Sequence, residues 1–264
     1  IELINKIPIS DIERLSELLI ADKKVKPDCI VLYEAILQNK TNQNKNVKEH
    51  LWKTVFGKQK INENQFRKLC FELLQKTEQA LAVIETEKNE MTSKLQLLRY
   101  YSTNTIEDFF EGKWNKIKTV TPQEKLLLSS NQSFFNYSLE LIQYDFLVNN
   151  PSKSKSNNII NTSVALDEYY ILQKLKLLCH AVNEEKFTTY SERPAFYEYI
   201  IEMAKEKENP LIDLYLHIYS LLTTINDGAI FISLKEKIAT INFIDENEWR
   251  IIFQYSINYC IIQL

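Results

Sequence analysis

Apolar residues along this chain fall at three- and four-residue intervals, the spacing that lines up one face of an α-helix. The clearest case is Phe66, Leu69, Cys70, Leu73, Leu74, Thr77, Leu81 and Ile84, a single stripe behind an Asn62 and Gln65 helix start. Upstream, Ser10 and Glu13 read as a capping box in front of Ile12, Leu15, Leu18 and Leu19. Pro27 opens a helix through Ile30, Leu32, Tyr33, Ile36 and Leu37, which the polar run Asn39 to Asn46 ends. A short helix through Leu51, Trp52, Val55 and Phe56 stops at Gly57. Further helices are predicted from Met91 to Tyr101, from an Asn104 cap through Ile106, Phe109, Phe110, Trp114 and Ile117, and from a Thr121 cap with Pro122 and Glu124 through Phe134 and Leu141 to Val148. Five more follow, at Ser163 to Asn183, Pro194 to Lys207, Pro210 to Ile225, Ala229 to Ile241 and from Asp245 onward. The fold class is all-α, built from antiparallel helix pairs with short polar connections.

One segment breaks the pattern. Residues 149–162, NNPSKSKSNNIINT, are polar and of low complexity, with almost nothing to bury, and are predicted to be a flexible linker or loop. The predicted organisation is therefore an N-terminal helical subdomain over 1–148, the linker, and a helical-repeat subdomain over 163–264. The repeat lies in an echo of apolar stripes. Leu214, Ile218 and Leu222 are matched 35 residues later by Trp249, Phe253 and Ile257, and Phe196, Tyr199 and Met203 by Phe231, Leu234 and Ile238. Helix pairs at such a period need stacking neighbours to bury their faces. The final helix runs out through Tyr259, Cys260, Ile261, Ile262 and Leu264 without a glycine stop, a polar cap or a basic last turn, which predicts a truncated array or a covered end.

With this period, and with Trp249 in the place of the family's first-helix tryptophan, the C-terminal third resembles the tetratricopeptide class of helical repeats. The resemblance implies a right-handed superhelical solenoid with a concave surface for a protein or peptide partner. On the predicted helix, Tyr215 and Tyr219 lie beside the core stripe, and the 35-residue shift carries them to Arg250 and Gln254. Tyrosine and arginine combine large contact area with a polar tip, so these four residues are the expected partner-binding set.

Composition removes several alternatives. The chain has 264 residues, 45% of them hydrophobic and 25% charged, which suits a globular protein with a sizeable core. Its three glycines, Gly57, Gly112 and Gly228, are too dispersed for a phosphate-cradling loop. Cys29, Cys70, Cys179 and Cys260 stand singly in apolar helical contexts and point to a reducing, cytoplasmic setting. No stretch approaches the length of a membrane helix, and no signal pattern opens the chain, although its start at Ile1 rather than methionine points to a removed upstream segment.

Candidate chemistry is sparse. His50, His180 and His217 lie in three different helices, and the neighbours Cys179 and His180 point about 100° apart on theirs. Glu107 with Glu111, Glu202 with Glu206, and Glu184 with Glu185 lack the Glu-x-x-His partners of a di-metal bundle. The expectation is a non-enzymatic scaffold or adaptor with no cofactor, no metal and no membrane association. Charge gives one alternative. Residues 40–68 carry eight basic and two acidic residues, whereas 163–264 carry nine basic and fifteen acidic. The basic stretch reads as a helix-turn-helix-like element of a nucleic-acid-associated regulator, with Lys53, Lys58, Lys60, Arg67 and Lys68 set to reach phosphates.

Overall fold

The computed structural model describes residues 2–42, 47–120, 128–150, 158–188, 192–224, 228–241 and 243–262. These are almost entirely helical, in the order α1 (Glu2–Lys6), α2 (Ile9–Ala21), α3 (Pro27–Asn42), α4 (Val47–Phe56), α5 (Glu63–Lys88), α6 (Glu90–Thr103), α7 (Glu107–Val120), α8 (Ser130–Asn149), α9 (Ile159–Glu184), α10 (Tyr197–Lys205), α11 (Pro210–Thr223), α12 (Gly228–Thr240) and α13 (Glu246–Ile262). The predicted Thr121 cap with Pro122 and Glu124, the middle of the 149–162 stretch and the terminal Leu264 lie outside the described residues.

The chain divides into two compact units, Ile1–Ser93 and Lys94–Leu264, so the division falls within α6 rather than at 149–162. Composition identified a stretch with little to bury, but the helices on either side of it, α8 and α9, pack along one another within the second unit. Thr162 Oγ1 donates to the Glu140 carbonyl at 3.2 Å, and Asn158 donates to the Glu140 carboxylate. The stretch therefore connects a helix pair and does not separate two domains.

In the first unit, α5 packs on α2 and α3, and α3 packs on α1 and α4. Asn62 caps α5 by accepting from the amides of Asn64 (3.1 Å) and Gln65 (3.2 Å), which fixes the helix phase. Phe66, Leu69, Leu73, Ala80 and Ile84 are then buried against Leu15, Leu32, Ile36, Leu51 and Trp52. α4 ends because Gly57 adopts φ +66°, a left-handed conformation that glycine takes without steric cost. Trp52 Nε1 donates to the Gln59 carbonyl at 2.9 Å and holds the turn that follows. Five ion pairs among the described residues fasten α5 to its neighbours: Arg14 with Glu87, Lys88 with Asp11, Lys76 with Asp22, Lys26 with Glu72 and Lys48 with Glu63. The predicted Ser10 and Glu13 capping box does not form. The helix starts two residues earlier, behind Pro8, and the Ser10 hydroxyl turns to the Asp11 carboxylate at 3.1 Å.

In the second unit, Phe110 of α7 stacks on Phe146 of α8 with ring centroids 3.9 Å apart, both rings buried. Asn104 closes α6, its side chain donating to the Tyr100 carbonyl at 2.9 Å, rather than capping α7 as predicted. α8 starts at Ser130 behind a Ser129 cap. Just before it, Leu128 forms a parallel bridge with Ile244, the segment that leads into α13. α9 packs on α8, α10 and α11, and α11 packs on α10, α12 and α13. The core holds Ile171, Leu172, Leu175, Leu178 and Val182 of α9 against Leu211, Leu214, Ile218 and Leu222 of α11.

In α13 the predicted register of the echo does not hold. Leu214, Ile218 and Leu222 are buried, but Phe253 and Ile257, their predicted counterparts, are 50% and 58% exposed. The buried face of α13 is Glu248, Ile252, Tyr255 and Tyr259. Those positions echo Leu211, Tyr215, Ile218 and Leu222 at a spacing of 37 residues. A slip of two residues turns a helix by about 200°, which carries Phe253 and Ile257 outward while Trp249 stays half-buried against the core.

Candidate functional site

An open groove of about 820 Å³ lies between α10, α11 and the end of α12, within the usual range of about 300–1,000 Å³ for ligand pockets. α11 positions it. Pro210 opens this helix, and Asn209 Oδ1 accepts from the amides of Leu211 (3.0 Å) and Ile212 (3.3 Å). With that start, Leu211, Leu214, Tyr215 and Ile218 turn inward, which leaves Asp213, Leu216, His217 and Tyr219 to line the groove. Ile201 and Lys205 contribute from α10, Lys237 from α12 and Ile241 from just beyond it.

Its polar groups are ordered. Asp213 is paired with Lys237 and lies 3.5 Å from His217 Nδ1. His217 Nδ1 is also 2.9 Å from the Asp213 carbonyl. A carbonyl only accepts, so Nδ1 carries the proton, and in the neutral ring Nε2 keeps a lone pair as an acceptor. Burial raises the Tyr219 phenol above its ordinary value, and the nearby Arg193 charge opposes the shift. The groove thus combines an apolar floor with cationic and hydrogen-bonding groups, a lining for recognition.

Of the four residues expected to bind a partner, the structure brings Tyr219 alone to this groove. Tyr215 is fully buried and donates its hydroxyl to Glu248 at 2.5 Å, so it belongs to the core and is closed to a partner. Arg250 is exposed on α13 and pairs with Glu246 at 3.0 Å, and Gln254 is exposed on the same helix. Both were placed by the 35-residue register, in which Phe253 and Ile257, the expected core counterparts, lie exposed.

The sequence reading missed a buried polar cluster. Glu248 Oε1 accepts from the Ser130 amide (2.9 Å), the Ser130 hydroxyl (2.7 Å) and Lys176 Nζ (2.8 Å). Its Oε2 accepts from Lys176 (2.9 Å) and Tyr215. Burial pushes the Glu248 carboxyl up, and the hydrogen bonds from Lys176, Tyr215 and Ser130 outweigh it, so the group sits below its ordinary value. Burial and the Glu248 charge push the Tyr215 phenol up. The available signal was Tyr215 itself, a polar tip on a core-facing stripe that required a buried partner.

The remaining candidates stay apart. His50 and His180 are exposed, whereas Cys179 is fully buried and its thiol donates to the Tyr215 carbonyl at 3.4 Å. Burial raises the Cys179 thiol far above its ordinary value. Glu185 pairs with Arg193 at 2.8 Å, and Glu202 and Glu206 are exposed. Among the described residues, no group of three or more His, Cys, Asp or Glu side chains is placed to hold a metal ion, and no helix is long and apolar enough to cross a membrane. Lys53, Lys58, Lys60, Arg67 and Lys68 are not buried, and Lys68 lines a concavity of about 400 Å³ at the start of α5. No protein-family model, no curated protein and no solved structure matches this chain.

Proposed function

We propose that α9 to α13 form a short right-handed, tetratricopeptide-like array of antiparallel helix pairs that acts as a non-enzymatic scaffold for a segment of a partner protein. The packing pattern supports the array, because α9, α11 and α13 follow one another side by side while α10 and α12 pack on them. The observation that carries the function is the groove of about 820 Å³ with Leu216, Tyr219 and Ile241 in its lining. Four free thiols are in keeping with a reducing, cytoplasmic setting.

Photo-crosslinking tests the reading. With p-benzoylphenylalanine in place of Tyr219, the chain is expected to yield polypeptide adducts in cells. The same probe in place of the exposed Ile232 of α12, which is not in the groove lining, should not. Absence of adducts at Tyr219, or equal adducts at both positions, refutes it. A second reading applies to the first unit, where Lys53, Lys58, Lys60, Arg67 and Lys68 stay available to a phosphate backbone. There, affinity for duplex DNA should fall steeply as salt rises, and a flat or absent response removes it.

A further inference from the structure

The groove carries a charge opposite to that of the helices around it. Lys205, Lys207 and Lys237 line it with Glu208 and Asp213. Outside the groove, the rest of 163–264 holds six basic and thirteen acidic residues. Asp213 neutralises Lys237. The Lys205 and Lys207 side chains make no hydrogen bond or ion pair among the described residues, and Glu208 is the acid that lines the groove beside them. The first amides of α11 are already satisfied by Asn209, so attraction for an anion there falls to the two lysines.

Resting on the proposed function above, we infer that the groove binds an acidic peptide with an apolar anchor, its carboxylates against Lys205 and Lys207 and its anchor on Leu216, Tyr219 and Ile241. Each half of that description follows from one part of the lining. Two unpaired ammonium groups in an acidic setting favour carboxylates and discriminate against basic segments. The apolar floor yields affinity only to a ligand that brings an apolar side chain to it. A nucleic acid fits poorly, because its phosphates would meet the acidic excess around the groove.

The test uses the full 264-residue chain and a displayed library of short random peptides. Enriched sequences should be acidic and carry one large apolar residue. A fluorescein-labelled enriched peptide should bind the Lys205→Glu/Lys207→Glu variant at least about tenfold more weakly, and added salt should weaken its binding to the native chain. The charge-reversed variant should in turn prefer the same peptide with its acids changed to lysine, a switch that loss of structure would not produce. Enrichment of neutral or basic sequences that Leu216→Asp abolishes overturns the charge assignment and leaves the groove as a binding site. No enrichment, or peptides indifferent to Leu216→Asp in a chain whose circular dichroism is unchanged, overturns both.

Discussion

Replacing Glu248 by glutamine should unlock the second unit. The carboxylate accepts five hydrogen bonds from Ser130, Lys176 and Tyr215, and a glutamine of the same shape accepts at one end only. Its amide would confront the donors gathered there and leave the Lys176 charge unmatched. Breaking one side of a buried ion pair costs about 3–5 kcal/mol. Here the Lys176 side chain retains 18% exposure and that of Glu248 5%, so water screens the lysine in part and the lower end, about 3 kcal/mol, applies. With a urea slope of about 2 kcal/mol/M, the midpoint should fall by about 1.5 M. Because the chain has two units, hydrogen exchange of α9 and α11 amides is the suitable readout. The double variant Lys176→Met/Glu248→Gln should recover about 2 kcal/mol by removing the orphaned charge. Acid gives a further check. Glu248 is held below the ordinary glutamate value of 4.5, so its contribution is full above that pH and is lost as pH falls through the depressed value. The gap between native and Glu248→Gln chains should therefore narrow in acid. A loss under about 1 kcal/mol for the single variant, additive costs in the double variant, or a gap independent of pH would refute the account.

Three further outcomes follow from the packing. Phe110→Ala removes a ring stacked on Phe146 in a buried site, and should cost about 3–5 kcal/mol in denaturant melts of the second unit, with Phe110→Leu costing less. Thiol labelling of the native chain should modify exposed Cys260 quickly and leave buried Cys179 unmodified until the core opens; equal rates would contradict the packing of α9 on α11. Gly57→Ala meets no steric obstacle but must hold φ +66°, so it should destabilise the first unit by about 1 kcal/mol in a thermal melt.

The helices were legible because apolar residues recur along them at helical spacing and several are marked at their starts. Asn62, Pro27 and Pro210 open or cap helices where their local chemistry says they should. Long-range partners were not legible. Ser10 had the right spacing for a capping box, but Pro8 starts the helix before it. Glu248 reads in sequence as a carboxylate in a helix first turn, favoured there by the helix dipole. That it is buried follows from Lys176 and Tyr215, which lie 72 and 33 residues away. The groove was half legible: Tyr219 was found through its neighbours on α11, while Lys205 and Lys237 reach it from other helices and Ile241 from just beyond α12. The repeat failed as a guide to α13 because both candidate faces of that helix are apolar. Trp249, Phe253 and Ile257 compete with Ile252, Tyr255 and Tyr259, and only tertiary packing selects between them.

The parallel bridge between Leu128 and Ile244 has a consequence for how the protein is made. The Leu128 amide donates to the Phe243 carbonyl at 2.5 Å, Asp245 donates back to Leu128 at 3.1 Å, and the Glu248 carboxylate then takes the first amide of α8. The opening turn of α8 is thus completed by residues synthesised more than a hundred positions later. On the ribosome α8 can emerge, become helical and pair with α9, yet its N-terminus must wait for the last helix of the unit to arrive. Vectorial synthesis therefore includes a closing step that joins early chain to late chain, and the second unit reaches its full stability only after α13 has left the exit tunnel.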